Sequence, residues 1–370
     1  MAGAHSPSRD DGAAPAAAGS FPWRLAEDDG GQPMLFDESA FVERHLGVGE
    51  YRGLEFIHVR ARTIVNEVRN SPFDFRFTIN TYRGCSHACS YCFARPTHTY
   101  LGLGAGEDFE RRIVVKVNAV ELLRAELRAP RWSGEGIAMG TNTDPYQRCE
   151  GRYHLTRGIV EELGRARNPF SILTKSTLIL RDLDVLQAAA ARTDVRCAVS
   201  IGTLDDEVWR RTEPGAPRPR LRVEAVRRLV DAGVTTGVLV APVIPGLSDD
   251  PPHVEEVVSA CTAAGAAWVT AIPLHLRPGV KEHFLSTTAR QDPALAAFLA
   301  RCYRGAYLPR DEQAVIAERV RVVLGRTRWR SGAPSTTRRA ARPARRAVPG
   351  ADEGPGPGIS QPELGLGFGP

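Results

Sequence analysis

Short apolar, β-branched runs alternate with helix-like stretches through the middle of the chain. The runs are Phe75–Thr81, Gly136–Gly140, Phe170–Thr174, Val195–Ile201, Thr235–Val240 and Ala267–Ile272. Between them lie Ala119–Leu127, Leu155–Arg165, Asp182–Ala191, Val223–Ala232 and Pro252–Ala264, where apolar residues recur at helical spacing, as in Leu155, Ile159 and Leu163. Strands alternating with helices of this length predict parallel βα units. Six units predict an α/β fold, a partial (β/α)6 TIM-like barrel, whose chemistry belongs on the loops at the C-terminal strand ends.

The flanks read differently. Residues 1–20 are rich in Ala, Gly, Ser and Pro, and residues 331–370 in Arg, Ala, Pro and Gly. Both compositions predict disordered tails, which cannot bury enough apolar surface to offset chain entropy. What remains divides into an N-terminal extension over 21–74, a core domain over 75–284 and a helical C-terminal extension over 285–330. Within the first of these, Phe41–Leu46 is expected to form a short helix and Gly53–Val59 a strand.

A chain of 370 residues with 42% hydrophobic content can bury a full core. Met1–Gly19 lacks the apolar segment of a signal peptide, and no apolar run reaches membrane-spanning length, so a cytoplasmic protein without a membrane partner is expected. The formal charge of +5 is local, because residues 319–346 hold ten Arg and no Asp, Glu or Lys, leaving −5 on the rest. Any affinity for DNA or RNA therefore belongs to the Arg-rich tail, with Trp329 as a stacking group; simple solvation explains such a tail equally well.

Candidate chemistry centres on Gly84-Cys85-Ser-His-Ala-Cys89-Ser-Tyr91-Cys92-Phe93, which places three of the seven cysteines within eight residues. Such clustering reads as metal binding rather than as a disulfide framework. Thiolates suit iron in a sulfide cluster, and three of them leave one metal position open. Zinc is the competing occupant, completed by His87 or His98. The remaining cysteines are scattered: Cys197, Cys261 and Cys302 read as small buried hydrophobes, which disfavours a second cluster.

The C-x3-C-x2-C segment resembles the radical S-adenosylmethionine (SAM) superfamily. The longer stretches Asn80-Thr-Tyr-Arg-Gly-Cys85, Cys92-Phe-Ala-Arg-Pro-Thr-His98, Gly140-Thr-Asn-Thr-Asp-Pro-Tyr-Gln147 and Leu173-Thr-Lys-Ser176 resemble its spore-photoproduct-lyase-like branch. The resemblance spans about residues 75–285. It implies that Cys85, Cys89 and Cys92 hold a [4Fe-4S] cluster and that SAM chelates the fourth iron. It also implies reductive cleavage of SAM to a 5′-deoxyadenosyl radical, hydrogen abstraction from a substrate, and an external one-electron donor such as flavodoxin or ferredoxin.

The same resemblance sets Tyr91 near the SAM adenine, Thr143 and Asp144 at its amino group, Lys175 at its carboxylate and Ser200 at the methionyl or ribose part. Val240 and Ala241 fall where the superfamily meets the adenine. The lyase uses a Cys as hydrogen-atom donor near the second strand end, whereas this chain reads Thr141-Asn142-Thr143-Asp144 there. Cys149 is the nearest substitute, either as a displaced donor or as a packing thiol. Photoproduct lyase activity and a zinc-stabilised, non-catalytic nucleic-acid-binding protein stand as the alternatives.

Overall fold

The computed structural model describes residues 41–68 and 75–326. The expected disordered tails lie outside the described residues, as does Trp329.

Six strands run parallel in one sheet: β4 (Phe77–Ile79), β7 (Ile137–Met139), β8 (Phe170–Thr174), β9 (Val195–Ser200), β10 (Thr235–Val243) and β11 (Val269–Pro273). An antiparallel strand, β3 (Val65–Glu67), pairs with β4 at one edge, and β11 forms the other. The sheet therefore does not close, and the architecture is the expected partial barrel. A smaller sheet packs β1 (Phe41–Leu46), β2 (Glu55–Val59), β6 (Arg112–Lys116) and β5 (Tyr82–Arg83) in the order β1-β2-β6-β5.

The helices are α1 (Glu107–Arg111), α2 (Ala119–Arg128), α3 (Glu150–Tyr153), α4 (Leu155–Ala166), α5 (Leu183–Ala190), α6 (Asp206–Thr212), α7 (Pro219–Asp231) and α8 (Pro251–Ala263), followed by α9 (Val280–Ala289), α10 (Pro293–Cys302) and α11 (Arg310–Arg326). Ile159, Leu163, Leu186, Val226, Leu229, Val254 and Val258 face the sheet and bury their side chains against Ile137, Ile172, Val199 and Val238. Prolines in the first turns of α7, α8 and α10 supply the preset φ of a helix start without losing a needed hydrogen bond. No helix among the described residues is long and apolar enough to cross a membrane.

One expectation needs correction. Phe41–Leu46 is a strand, antiparallel to β2 with Arg44 opposite Ile57 and Leu46 opposite Glu55. Ladder pairing with a neighbour distant in sequence outweighs the local helical spacing of Phe41 and His45. The strand β6, unforeseen from the sequence, supplies the parallel partner that β2 needs.

Ile172 is fully buried at the centre of β8. Ile172→Ala is expected to lower unfolding stability by about 2–5 kcal/mol through lost transfer energy and a cavity, measured by urea denaturation.

Candidate active site

Parallel strands place their C-terminal ends on one edge of the sheet, and the polar residues of interest lie there. The cysteine loop follows β4 and β5. It is fixed from three directions. Cys85 N–H donates to the Phe109 carbonyl at 2.8 Å, and Ser90 N–H donates to the Thr212 carbonyl at 2.9 Å. From the loop after β7, Thr143 Oγ1 and Gln147 Nε2 donate to the Gly84 carbonyl at 2.7 and 2.9 Å, and Ser86 N–H donates to Gln147 Oε1 at 3.0 Å.

Gly84 has φ +78°, and a Cβ there would lie 2.9 Å from the Phe109 carbonyl oxygen and 3.0 Å from that of Arg112. Only glycine meets both constraints. Arg95, fully buried, braces the loop by donating from Nε to the Cys89 carbonyl at 2.9 Å and by pairing with Glu110.

The three thiols are reduced and close enough to influence one another's ionisation. Burial raises all three: Cys85 well above the usual thiol value, further raised by Asp144, and Cys89 to about 12. Cys92 is raised as well, again by burial. Thiols in this setting ionise only when a bound group brings compensating positive charge, because coordination deprotonates them.

Their spacing tests which group fits. A single tetrahedral ion needs its ligand atoms within about 4 Å of one another. Among the described residues, the only set of three or more His, Cys, Asp or Glu ligand atoms within 4.8 Å of one another is Glu43, His45 and His58. The three cysteine sulfurs therefore do not all lie within 4.8 Å of one another, which is wider than a single tetrahedral ion takes. The histidines also have other contacts: His87 Nδ1 pairs with Asp144 Oδ2 at 3.3 Å, and His98 Nε2 lies 3.0 Å from the Arg112 carbonyl. Among the described residues no Cys3His set therefore converges on one point.

Beside the loop lies a buried ionic network. Lys175, directly after β8, donates to Ser200 Oγ at 2.6 Å and to the Ala241 carbonyl at 3.2 Å, and pairs with Glu213 at 3.0 Å. Glu213 also accepts from the Tyr91 hydroxyl and from Arg222. Burial opposes ionisation of Glu213, but Arg222 and Lys175 outweigh it and hold the carboxyl at about 2. The Lys175 ammonium sits 5.6 Å from the centre of the Tyr91 ring. Asp144 accepts from Thr174 Oγ1 and Lys175 N–H, both at 2.7 Å, so it fastens the loop after β7 to the end of β8.

Residues 79–257 match the Radical SAM superfamily. Over 303 residues, 81% of this chain and 88% of the relative, the sequence is 42% identical to the uncharacterised protein Rv2578c of Mycobacterium tuberculosis. The chain belongs to the radical SAM superfamily. A further relative, the uncharacterised protein MJ0683 of Methanocaldococcus jannaschii, is 29% identical over 53% of this chain and 70% of its own length. Spore photoproduct lyase with bound AdoMet and dinucleoside spore photoproduct has the same fold, with a TM-score of 0.55 at 19% identity over 73% of this chain and 78% of that one. Membership in the radical SAM superfamily implies a [4Fe-4S] cluster and SAM, and three free thiols on one loop, soft ligands suited to iron, fit that cluster.

Of the residues singled out from sequence, Cys85, Cys89, Cys92, Tyr91, Thr143, Asp144, Lys175, Ser200 and the Ala241 carbonyl gather at these strand ends. Val240 is buried in the β10–β11 pairing opposite Ala271. Cys149 is not brought to the group. It is fully buried in a separate apolar cluster with Phe56, Tyr82, Ile113 and Val115, on the side of the small sheet, which is the setting of a packing thiol. Glu213, Arg222, Gln147 and Arg95 escaped the sequence reading. A carboxylate at the end of an amphipathic helix, as Glu213 is after α6, resembles a surface residue until the fold buries it.

Gly84→Ala is expected to abolish reconstitution of the radical SAM cluster while far-UV circular dichroism stays near that of the wild type. Unchanged iron and sulfide content would show that the loop tolerates the Cβ.

Proposed function

We propose that this protein is a radical SAM enzyme that cleaves SAM reductively at this site and abstracts a hydrogen atom from a substrate held over the strand ends. The observation that carries the reading is the adjacency of three free thiols on one loop, Cys85 and Cys89 buried and Cys92 partly so, to the Lys175–Glu213–Arg222 network. When bound, the cluster and SAM supply one-electron cleavage of the sulfonium and the hydrogen-abstracting group. Cys85, Cys89 and Cys92 would hold three irons and leave the fourth for the amino acid end of SAM.

The protein's own contribution is placement and charge. All three protons of the Lys175 ammonium already have acceptors, so an α-amino acid head group enters by exchange. Its carboxylate takes Lys175, its amino group falls beside Thr143 and Asp144 and stays available to the open iron, and Glu213 keeps Arg222 and Tyr91 as partners, so no buried charge is left alone. Arg222 holds Glu213 through the exchange. Ser200 stays beside Lys175 and the Tyr91 ring lies against the ammonium; a radical reaction at this place requires water to be kept from the reacting centre.

Anaerobic reconstitution, reduction and addition of SAM should yield 5′-deoxyadenosine from the wild type and none from the Cys85→Ala, Cys89→Ala, Cys92→Ala triple variant. Lys175→Ala should keep its iron and bind SAM roughly 10–100-fold more weakly, the range expected for loss of a charged hydrogen bond. Product from the triple variant, or unchanged SAM affinity in Lys175→Ala, would refute the assignment.

A nucleic-acid substrate is the second part of the proposal. It is favoured by the fold shared with a lyase that binds a dinucleoside photoproduct, and by the run of Arg residues toward the C-terminus. Photoproduct lyase activity itself would need a hydrogen donor other than the buried Cys149. Deleting residues 326–370 should weaken DNA or RNA binding and flatten its salt dependence, as expected when phosphate contacts are removed; filter binding at several salt concentrations measures both. Binding unchanged by the deletion would remove the tail from the proposal.

A further inference from the structure

The β1–β2 pair carries a second set of ligand-type side chains, separate from the strand-end site. Alternation along a strand puts Glu43 and His45 on the same face of β1. Antiparallel register sets His58 of β2 directly opposite Glu43, and Phe56, two residues away, opposite His45. Directly opposed and diagonal side chains on one face of such a pair are within reach of each other. The result is convergence on one carboxylate oxygen. Glu43 Oε1 lies 2.9 Å from His45 Nε2 and 3.2 Å from His58 Nδ1. The two imidazole rings are 4.5 Å apart between centres.

Each residue differs in setting. Glu43 is exposed, His45 is partly buried, and His58 is buried at the rim of the apolar cluster that holds Phe56 and Tyr153. The second ring nitrogen of His58, Nε2, is 2.7 Å from the Tyr153 hydroxyl. An imidazole bound to a metal through one nitrogen needs a partner for the N–H of the other, and that partner fixes the ring. Tyr153, with its hydroxyl oxygen as acceptor, supplies it.

The spacing also suits an ion. Metal–ligand lengths of about 2.0–2.2 Å in a tetrahedron place neighbouring nitrogen and oxygen ligands roughly 3.3 Å apart. The His45–Glu43 and His58–Glu43 separations of 2.9 and 3.2 Å need little adjustment. Two imidazoles and one carboxylate favour a borderline transition ion over Mg²⁺ or Ca²⁺, which take oxygen ligands.

We propose that Glu43, His45 and His58 bind a divalent transition-metal ion of the zinc class, through Nε2 of His45, Nδ1 of His58 and a carboxylate oxygen of Glu43. Solvent completes the tetrahedron on the exposed side. The ion ties the edge strand β1 to β2. Through His58 and Tyr153 it also ties that sheet to α3, which closes the segment that presses Thr143 and Gln147 onto the cysteine loop.

The test uses protein already loaded with its iron–sulfur cluster, so that the cysteines are occupied. Zn²⁺ is titrated by calorimetry against a competing chelator, and the bound metal is examined by zinc-edge X-ray absorption. One Zn²⁺ per chain, with nitrogen and oxygen ligands only, is the expected result. His45→Ala and Glu43→Gln, both on the partly exposed edge strand, should each weaken binding at least tenfold while cluster absorbance and circular dichroism are retained. Tyr153→Phe should weaken binding by about 10–100-fold, the range for a partner that orients a ligand. The proposal is overturned if no saturable zinc is bound, if sulfur appears among the ligands, if Mg²⁺ binds equally well, or if His45→Ala and Glu43→Gln bind zinc as the wild type does.

Discussion

A single buried carboxylate organises the working edge of this protein. Glu213 lies in the connection between α6 and α7, and it accepts hydrogen bonds or ion pairs from three separate parts of the chain: Tyr91 in the cysteine loop, Lys175 after β8 and Arg222 in α7. Arg222 reaches on to the Ser200 carbonyl at 3.1 Å and the Pro217 carbonyl at 2.8 Å. A charge this deeply buried is tolerable only when its partners are all in place. The position of the cysteine loop relative to the ends of β8 and β9 is thus set by electrostatics as much as by apolar packing.

The loop is held by backbone contact as well. Gly215, two residues beyond Glu213, donates its N–H to the His87 carbonyl at 3.0 Å, and a Cβ on it would fall 2.1 Å from the Ser86 carbonyl oxygen. Two main chains therefore touch where side chains would ordinarily intervene. Together with Thr143 and Gln147 on the Gly84 carbonyl, these contacts give the three cysteines fixed origins before any metal arrives. Preorganisation of this kind is what lets a short loop grip one face of a cluster.

The parallel sheet was legible because its signal is local. Phe170–Thr174 and the paired apolar spacing of Leu155, Ile159 and Leu163 read the same in isolation as in the fold. The cysteine triad was legible for the same reason, as were Lys175 and Ser200 at the ends of their strands. What escaped was set by contacts between residues far apart in sequence. Glu213 meets Tyr91 across 122 positions, and Phe41–Leu46 becomes a strand only because β2 is there to pair with it. Arg95 looked like one more loop cation, although it is fully buried and bonded to the Cys89 carbonyl.

The saturation of Lys175 has a bearing on what the proposed site will reject. An ammonium with idle protons attracts any small anion. Here an incoming carboxylate must displace Glu213 from Lys175 and leave Glu213 to Arg222 and Tyr91. Exchanging one buried ion pair for another carries a cost that a lone anion has nothing to offset. A ligand held at further points, as SAM would be at the open iron, can offset it. On the proposed binding mode the internal ion pair would thus raise the threshold for phosphate and chloride, which have no second point of attachment.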